Sequence, residues 1–235
     1  MIPTAASPAI HRIYNFSAGP GVLPEEVLLE ARDNLLSLGK TGIGILEISH
    51  RSKEFEAILA EAEANLRTLL AVPREMRVLF LQGGASLQFS MVPMNLLLPG
   101  ATADYIVTGE WGRRAVVEAR RIPGAQIHIA ASTESEGFCR VPTDAELALS
   151  ASPAYVHYTT NNTIFGTQYA HIPDVGGRPL VADMSSDFLS RPTDISRYSL
   201  VYAGAQKNAG PAGVTVVLLR EEILPTDAAL QAGLP

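Results

Sequence analysis

The feature of this sequence that most restricts its fold is a series of short apolar segments, rich in β-branched or aromatic residues and followed within three residues by Gly, Ser, Thr, Asn or Asp. They occupy residues 78–81, 105–107, 127–129, 155–158, 180–182 and 200–202. Segments this short and this uniformly apolar suit strands buried on both faces, as in a parallel sheet covered by helices. Helix-compatible stretches at 87–98 and 113–121 separate the first three. The local order is therefore strand, helix, strand, helix, strand, and an α/β fold with right-handed crossovers is expected. Residues 214–219 read as one more strand returning after a Gly/Pro-rich turn, and residues 221–224 as the start of a further helix.

Two helices are expected ahead of the sheet. Pro24 followed by Glu25 and Glu26 opens the first, because proline suits the first helical position and acids there face the positive end of the dipole. Gly39 is expected to end it. Ser52 is placed to cap the second, whose apolar residues Phe55, Ile58, Leu59, Ala62, Leu66, Leu69 and Leu70 keep a 3.6-residue period until Pro73.

Composition removes several classes of function. With 235 residues, 47% of them hydrophobic, the chain is long enough to bury a large core. A net charge of −6 with scattered Lys and Arg argues against binding a nucleic-acid backbone, which rests on clustered cations and released counterions. The single cysteine, Cys139, excludes an internal disulfide; no CxxC or Cys/His cluster offers a metal site, and Cys139 is given no role. The N-terminal residues lack a basic stretch and an unbroken apolar run, and the longest apolar segment is too short to span a bilayer. No membrane association is expected, and the reading is cytoplasmic.

In open parallel sheets ligands gather at the carboxyl ends of strands, so the residues just after each apolar segment matter most. QGGAS at 82–86 leads from a strand into a helix, and its small residues would let backbone N–H groups approach a phosphate. A plain tight turn would look the same. Asp183 follows the segment at 180–182, where an acid could equally cap a helix. Lys207 lies in a Gly/Ala loop, unusual surroundings for a surface lysine, and partial desolvation would make its amine nucleophilic toward carbonyls. Together these three residue types match the needs of pyridoxal 5′-phosphate: a lysine for its aldehyde, a carboxylate for its pyridine nitrogen and N–H donors for its phosphate. Trp111, the only tryptophan, could stack on a flat ring or simply pack in the core.

Six separated stretches then resemble the phosphoserine aminotransferase family: NFSAGP at 15–20, EISHRSKEF at 47–55, LQGGASLQF at 81–89, NNTIFGTQ at 161–168, DMSSD at 183–187 and the loop around Lys207. They occur in that family's order. The resemblance implies a class-V enzyme with the aminotransferase fold type I large domain, a mainly parallel sheet flanked by helices. It implies transfer of an amino group between phosphoserine and 2-oxoglutarate, with glutamate as the amino donor in the synthetic direction, in serine and pyridoxine biosynthesis. Carried over residue by residue, Lys207 matches the Schiff-base lysine and Asp183 the partner of the pyridine nitrogen. Trp111 matches the ring-stacking residue, and Thr163 the hydroxyl beside the phenolic oxygen. Ala85, Ser86, Ser185 and Gln206 match positions around the cofactor phosphate. Ser17, His50 and Arg51 match substrate contacts, with His50 and Arg51 reaching substrate phosphate across a homodimer interface. The resemblance also implies an N-terminal arm over 1–22, a cofactor-binding large domain over 23–224, and at 225–235 the start of a linker to a C-terminal small domain that this sequence does not contain. Two alternatives stay open: another class-V enzyme, such as an alanine:glyoxylate aminotransferase or a cysteine desulfurase, and a non-catalytic fragment that binds cofactor or dimerises.

Overall fold

The computed structural model describes residues 11–226; the expected arm residues 1–10 and linker residues 227–235 lie outside it. Helix α1 (Glu25–Asp33) and helix α2 (Lys53–Leu70) precede the sheet. Then follow β1 (Met76–Leu81), α3 (Gly84–Leu96), β2 (Thr102–Val107), α4 (Glu110–Ala119), β3 (Gln126–Ser132) and β4 (Tyr155–Thr159). A two-stranded hairpin, β5 (Asn161–Asn162) with β6 (Thr167–Gln168), leads to β7 (Leu180–Asp183), β8 (Leu200–Gly204) and β9 (Thr215–Arg220).

Seven strands form one sheet in the order β1-β9-β8-β7-β4-β2-β3. Neighbours from β8 to β3 are parallel, and β9 runs antiparallel to both β8 and β1. The expectation of a mainly parallel sheet is met. β9 departs from it because the connection over 205–214 is too short for a crossover and reverses the chain. Strands β3 and β4 lie on opposite sides of β2, so the direction of winding changes there, and the crevice this creates opens at the carboxyl ends of β2 and β4.

Both faces of the sheet are covered. Ile106, Val156, Tyr158, Ala182, Val201 and Leu218 pack with Leu66 and Leu70 of α2 on one side. Tyr105, Val181, Tyr202 and Val217 pack with Phe89, Val92 and Leu96 of α3 and with Ala115, Val116 and Ala119 of α4 on the other.

Several expected boundaries shift for local reasons. Helix α1 stops at Asp33 rather than near Gly39: the Asn34 side chain donates to the Glu30 carbonyl and accepts from the Gly39 N–H, closing the helix end earlier. Helix α2 is capped as expected, Ser52 Oγ accepting from the Phe55 N–H at 3.2 Å. Of its apolar stripe only Leu66 and Leu70 are buried, and Leu69 remains 68% exposed. Helix α3 begins three residues before the expected 87, where Gly83 and Gly84 take left-handed conformations that other residues resist. Helix α4 likewise begins early, at Glu110. The expected helix at 221–224 is only a 3-10 turn, Glu221–Ile223, since Pro225 disfavours helical geometry at Leu224. The hairpin β5–β6 has no signal in the sequence, two-residue strands carrying no periodicity.

Candidate active site

A cavity of about 110 Å³ opens at the carboxyl ends of β4 and β7 and beside the first turns of α3 and α4. Its lining includes Ala85, Ser86, Trp111, Asp183, Ser185, Gln206 and Lys207, so most of the residues singled out in the sequence converge on one place. They come from four separate segments, and the sheet topology is what brings them together.

Asp183 closes β7 and is buried. Its Oδ1 accepts from the Ser185 N–H at 3.0 Å and from the Ser185 hydroxyl at 2.6 Å. Among the described residues no donor reaches Oδ2. Burial pushes this carboxyl above its ordinary range, while the Ser185 hydrogen bonds and the positive charge of Lys207 pull the other way. A buried carboxylate that lines a cavity and keeps one oxygen without a donor is suited to a positively charged N–H donor.

Lys207 follows β8 in the loop over 205–214. Its Nζ donates to Thr163 Oγ1 at 2.6 Å and lies 5.6 Å from the centroid of the Trp111 ring. Partial burial lowers the pKa of the amine, against the opposing charges of Asp183 and Asp187. The segment before α1 braces this loop: the Gly21 N–H donates to the Gln206 carbonyl at 2.7 Å. A Cβ on Gly21 would fall 2.8 Å from the Lys207 carbonyl oxygen, so only glycine lets the segment lie this close.

Trp111 sits in the first turn of α4, just past β2, with the Arg114 guanidinium 5.0 Å from its ring centroid. At the start of α3 no side chain caps the helix and no acid occupies the first turn. The N–H groups of 84–86 therefore face the cavity as a ready anion site.

Other expected residues are placed differently. Thr163 reaches the site through its bond to Lys207. Ser17 lines an adjoining cavity of about 590 Å³ that also contains Gln206 and Lys207. His50 and Arg51 lie exposed in the turn before α2, outside both cavities. Sequence reasoning passed over Thr159, which lines the cavity, is paired in register with Asp183, and has a buried hydroxyl with no partner among the described residues. It ends β4, so the strand-end rule that selects Asp183 selects it too.

These residues suit pyridoxal phosphate on the observed geometry: an acid with a free oxygen, an uncapped helix end, a desolvated amine and an indole ring converge on one cleft. A mainly parallel sheet with this cleft at its strand ends is the large-domain architecture of the fold-type-I aminotransferases. The chain belongs to the class-V aminotransferase family, which it matches over residues 13–233. It is 54% identical over 216 residues to the phosphoserine aminotransferase of Herpetosiphon aurantiacus, covering 92% of this chain and 59% of that one. It is 53% identical to that of Hahella chejuensis, covering 91% and 58%. The solved phosphoserine aminotransferase from Bacillus circulans subsp. alkalophilus superposes with a TM-score of 0.87 at 47% identity, covering 94% of this chain and 62% of that one. The chain thus spans about 60% of the length of the curated relatives it matches.

Proposed function

We propose that this chain supplies the cofactor cleft of a pyridoxal-phosphate-dependent phosphoserine aminotransferase, exchanging the amino group between phosphoserine and 2-oxoglutarate in the cytoplasm. The observation that carries the reading is the convergence of Lys207, Asp183 and Trp111 at the strand ends, in a chain about half identical to enzymes of that name. When bound, pyridoxal phosphate supplies an electron sink for negative charge on the carbon that bears the amino group.

The chain's own residues divide the work. Lys207 would hold the cofactor covalently through Nζ and, once released, take the proton from the α-carbon of the amino acid; its lowered pKa favours the free amine both tasks need. Asp183 Oδ2 would hold the proton on the ring nitrogen. The N–H groups of 84–86, with Gln206 nearby, would bind the phosphate, and Trp111 would fix the plane of the ring. Thr163 would hold the phenolic oxygen, having first held the lysine. Thr159 offers its unpartnered hydroxyl alongside Asp183. No helix among the described residues is long and apolar enough to cross a membrane.

His50, Arg51 and Ser17 would contact substrate, the first two in the cleft of a second copy. The support for a homodimer is the apolar surface left uncovered: α1 buries none of its residues, and Leu36, Leu46 and Leu69 are 89%, 82% and 68% exposed.

Borohydride reduction after incubation with pyridoxal phosphate, followed by peptide mapping, tests the cleft. Label on Lys207, absent in Lys207→Ala, is expected; label spread over surface lysines would refute it. Spectral change of the loaded chain on adding phosphoserine but not alanine tests the substrate.

A further inference from the structure

Ser185 lies two residues beyond Asp183 and is 7% exposed. Its backbone N–H and its hydroxyl both donate to Asp183 Oδ1, at 3.0 and 2.6 Å. Its Oγ in turn accepts from the Gly204 N–H at 3.0 Å. A serine hydroxyl has one hydrogen, and with the Gly204 N–H on one side that hydrogen is directed to the carboxylate. None remains for a phosphate oxygen, the role that the family resemblance assigned to this position.

Gly204 ends β8 and is paired in register with Thr215 of β9, so its N–H is fixed by the sheet. Three residues further along the same segment is Lys207. The hydrogen bonds thus run from the strand that leads into the lysine loop, through Ser185, to the carboxylate ending the neighbouring strand. Two donors on one oxygen fix the rotation of the carboxylate, and the second oxygen, of a residue that lines the cavity, is left without a donor among the described residues.

Resting on the reading of this cleft as a pyridoxal phosphate site, we propose that Ser185 is a positioning residue for Asp183, holding Oδ2 toward the ring nitrogen through a relay anchored at Gly204. Its side chain does not bind the phosphate. A charge-assisted hydrogen bond to a buried carboxylate is worth enough that removing it shows in cofactor affinity, and the backbone N–H of Ser185 alone would leave the carboxylate less constrained.

Trp111 is the only tryptophan in the chain and lines the cavity, so quenching of its fluorescence reads binding directly. Titration of the full chain with pyridoxal 5′-phosphate is expected to show quenching. Ser185→Ala should weaken binding roughly tenfold, Ser185→Thr, which keeps the hydroxyl, should retain it, and Ser185→Ala should have no further effect in an Asp183→Asn background. An equal loss in both Ser185 variants, no loss in Ser185→Ala, or a loss that persists in the Asp183→Asn background would overturn the positioning role while leaving the cofactor site intact. Absence of quenching in the unaltered chain would overturn the cofactor site itself and this inference with it.

Discussion

Lys207 Nζ and Thr163 Oγ1 are 2.6 Å apart, a direct hydrogen bond between the loop after β8 and the hairpin that follows β4. The bond gives the amine one fixed direction inside the cleft instead of the spread of rotamers a lysine otherwise samples. Thr163→Val keeps the shape and removes the acceptor. Trapping of pyridoxal phosphate on Lys207 by borohydride, at limiting cofactor, is expected to fall roughly fivefold, in line with one hydrogen bond. Unchanged trapping would show that the hydroxyl does not orient the amine.

The lowered pKa of Lys207 has a kinetic signature. Acylation of Lys207, followed by peptide mapping across pH, should give a midpoint below the ordinary 10.5, because burial disfavours the ammonium. The nearby charge of Asp183 favours the ammonium, so Asp183→Asn should move the midpoint lower still. A rise in the variant would contradict this account.

Asp183 should cost the cofactor-free chain stability at neutral pH. Its carboxyl pKa is raised in the fold, so the protonated form is the one the fold favours; the favourable contribution is present near and below the unfolded value of 3.8 and is lost as pH rises through the folded value. Cofactor-free Asp183→Asn should therefore melt above the unaltered chain at pH 7. The gap should close as the medium is acidified toward 3.8. A less stable variant at pH 7 would remove the argument that the Ser185 hydrogen bonds and Lys207 compensate the buried charge only in part.

His157 makes an opposite contribution. Fully buried in the sheet, with Nε2 2.8 Å from the Tyr202 hydroxyl, it has a pKa pushed down to about 3 by loss of solvent. The unfolded chain takes up a proton near 6.5 that the folded chain refuses, so stability falls with acidity between those values. Against a His157→Gln variant, denaturant titrations should show the unaltered chain losing about 1.4 kcal/mol per pH unit below 6.5. A pH-independent difference would mean that His157 takes up its proton as readily in the fold as in the unfolded chain, contrary to this account.

The sheet was legible from the apolar segments because each is buried on both faces, and burial on both faces is what removes the alternation of an ordinary half-buried strand. Lys207 and Asp183 stood out since both are charged residues where the neighbouring sequence is small or apolar. The resemblance puts Ser185 among the phosphate contacts; its bond from the Gly204 N–H, nineteen residues away in sequence and adjacent only once β7 and β8 pair, carries no signal in the sequence. Thr159 drew no notice, being one threonine among three polar neighbours. The apolar stripe of α2 gave the helix correctly but overstated its burial: periodicity shows that one face will be covered, without showing that this chain's own sheet covers all of it.

The position of β9 also bears on synthesis. This strand is inserted between β1 and β8, and β1 has no other neighbour in the sheet. As the polypeptide leaves the ribosome, β1 emerges early with its backbone groups unpaired and waits for residues 215–220 before it can be zipped in. Through that interval Met76, Val78 and Phe80 lack the strand they pair beside, and long-range closure of this kind is the sort of step that is slow and leaves apolar surface exposed.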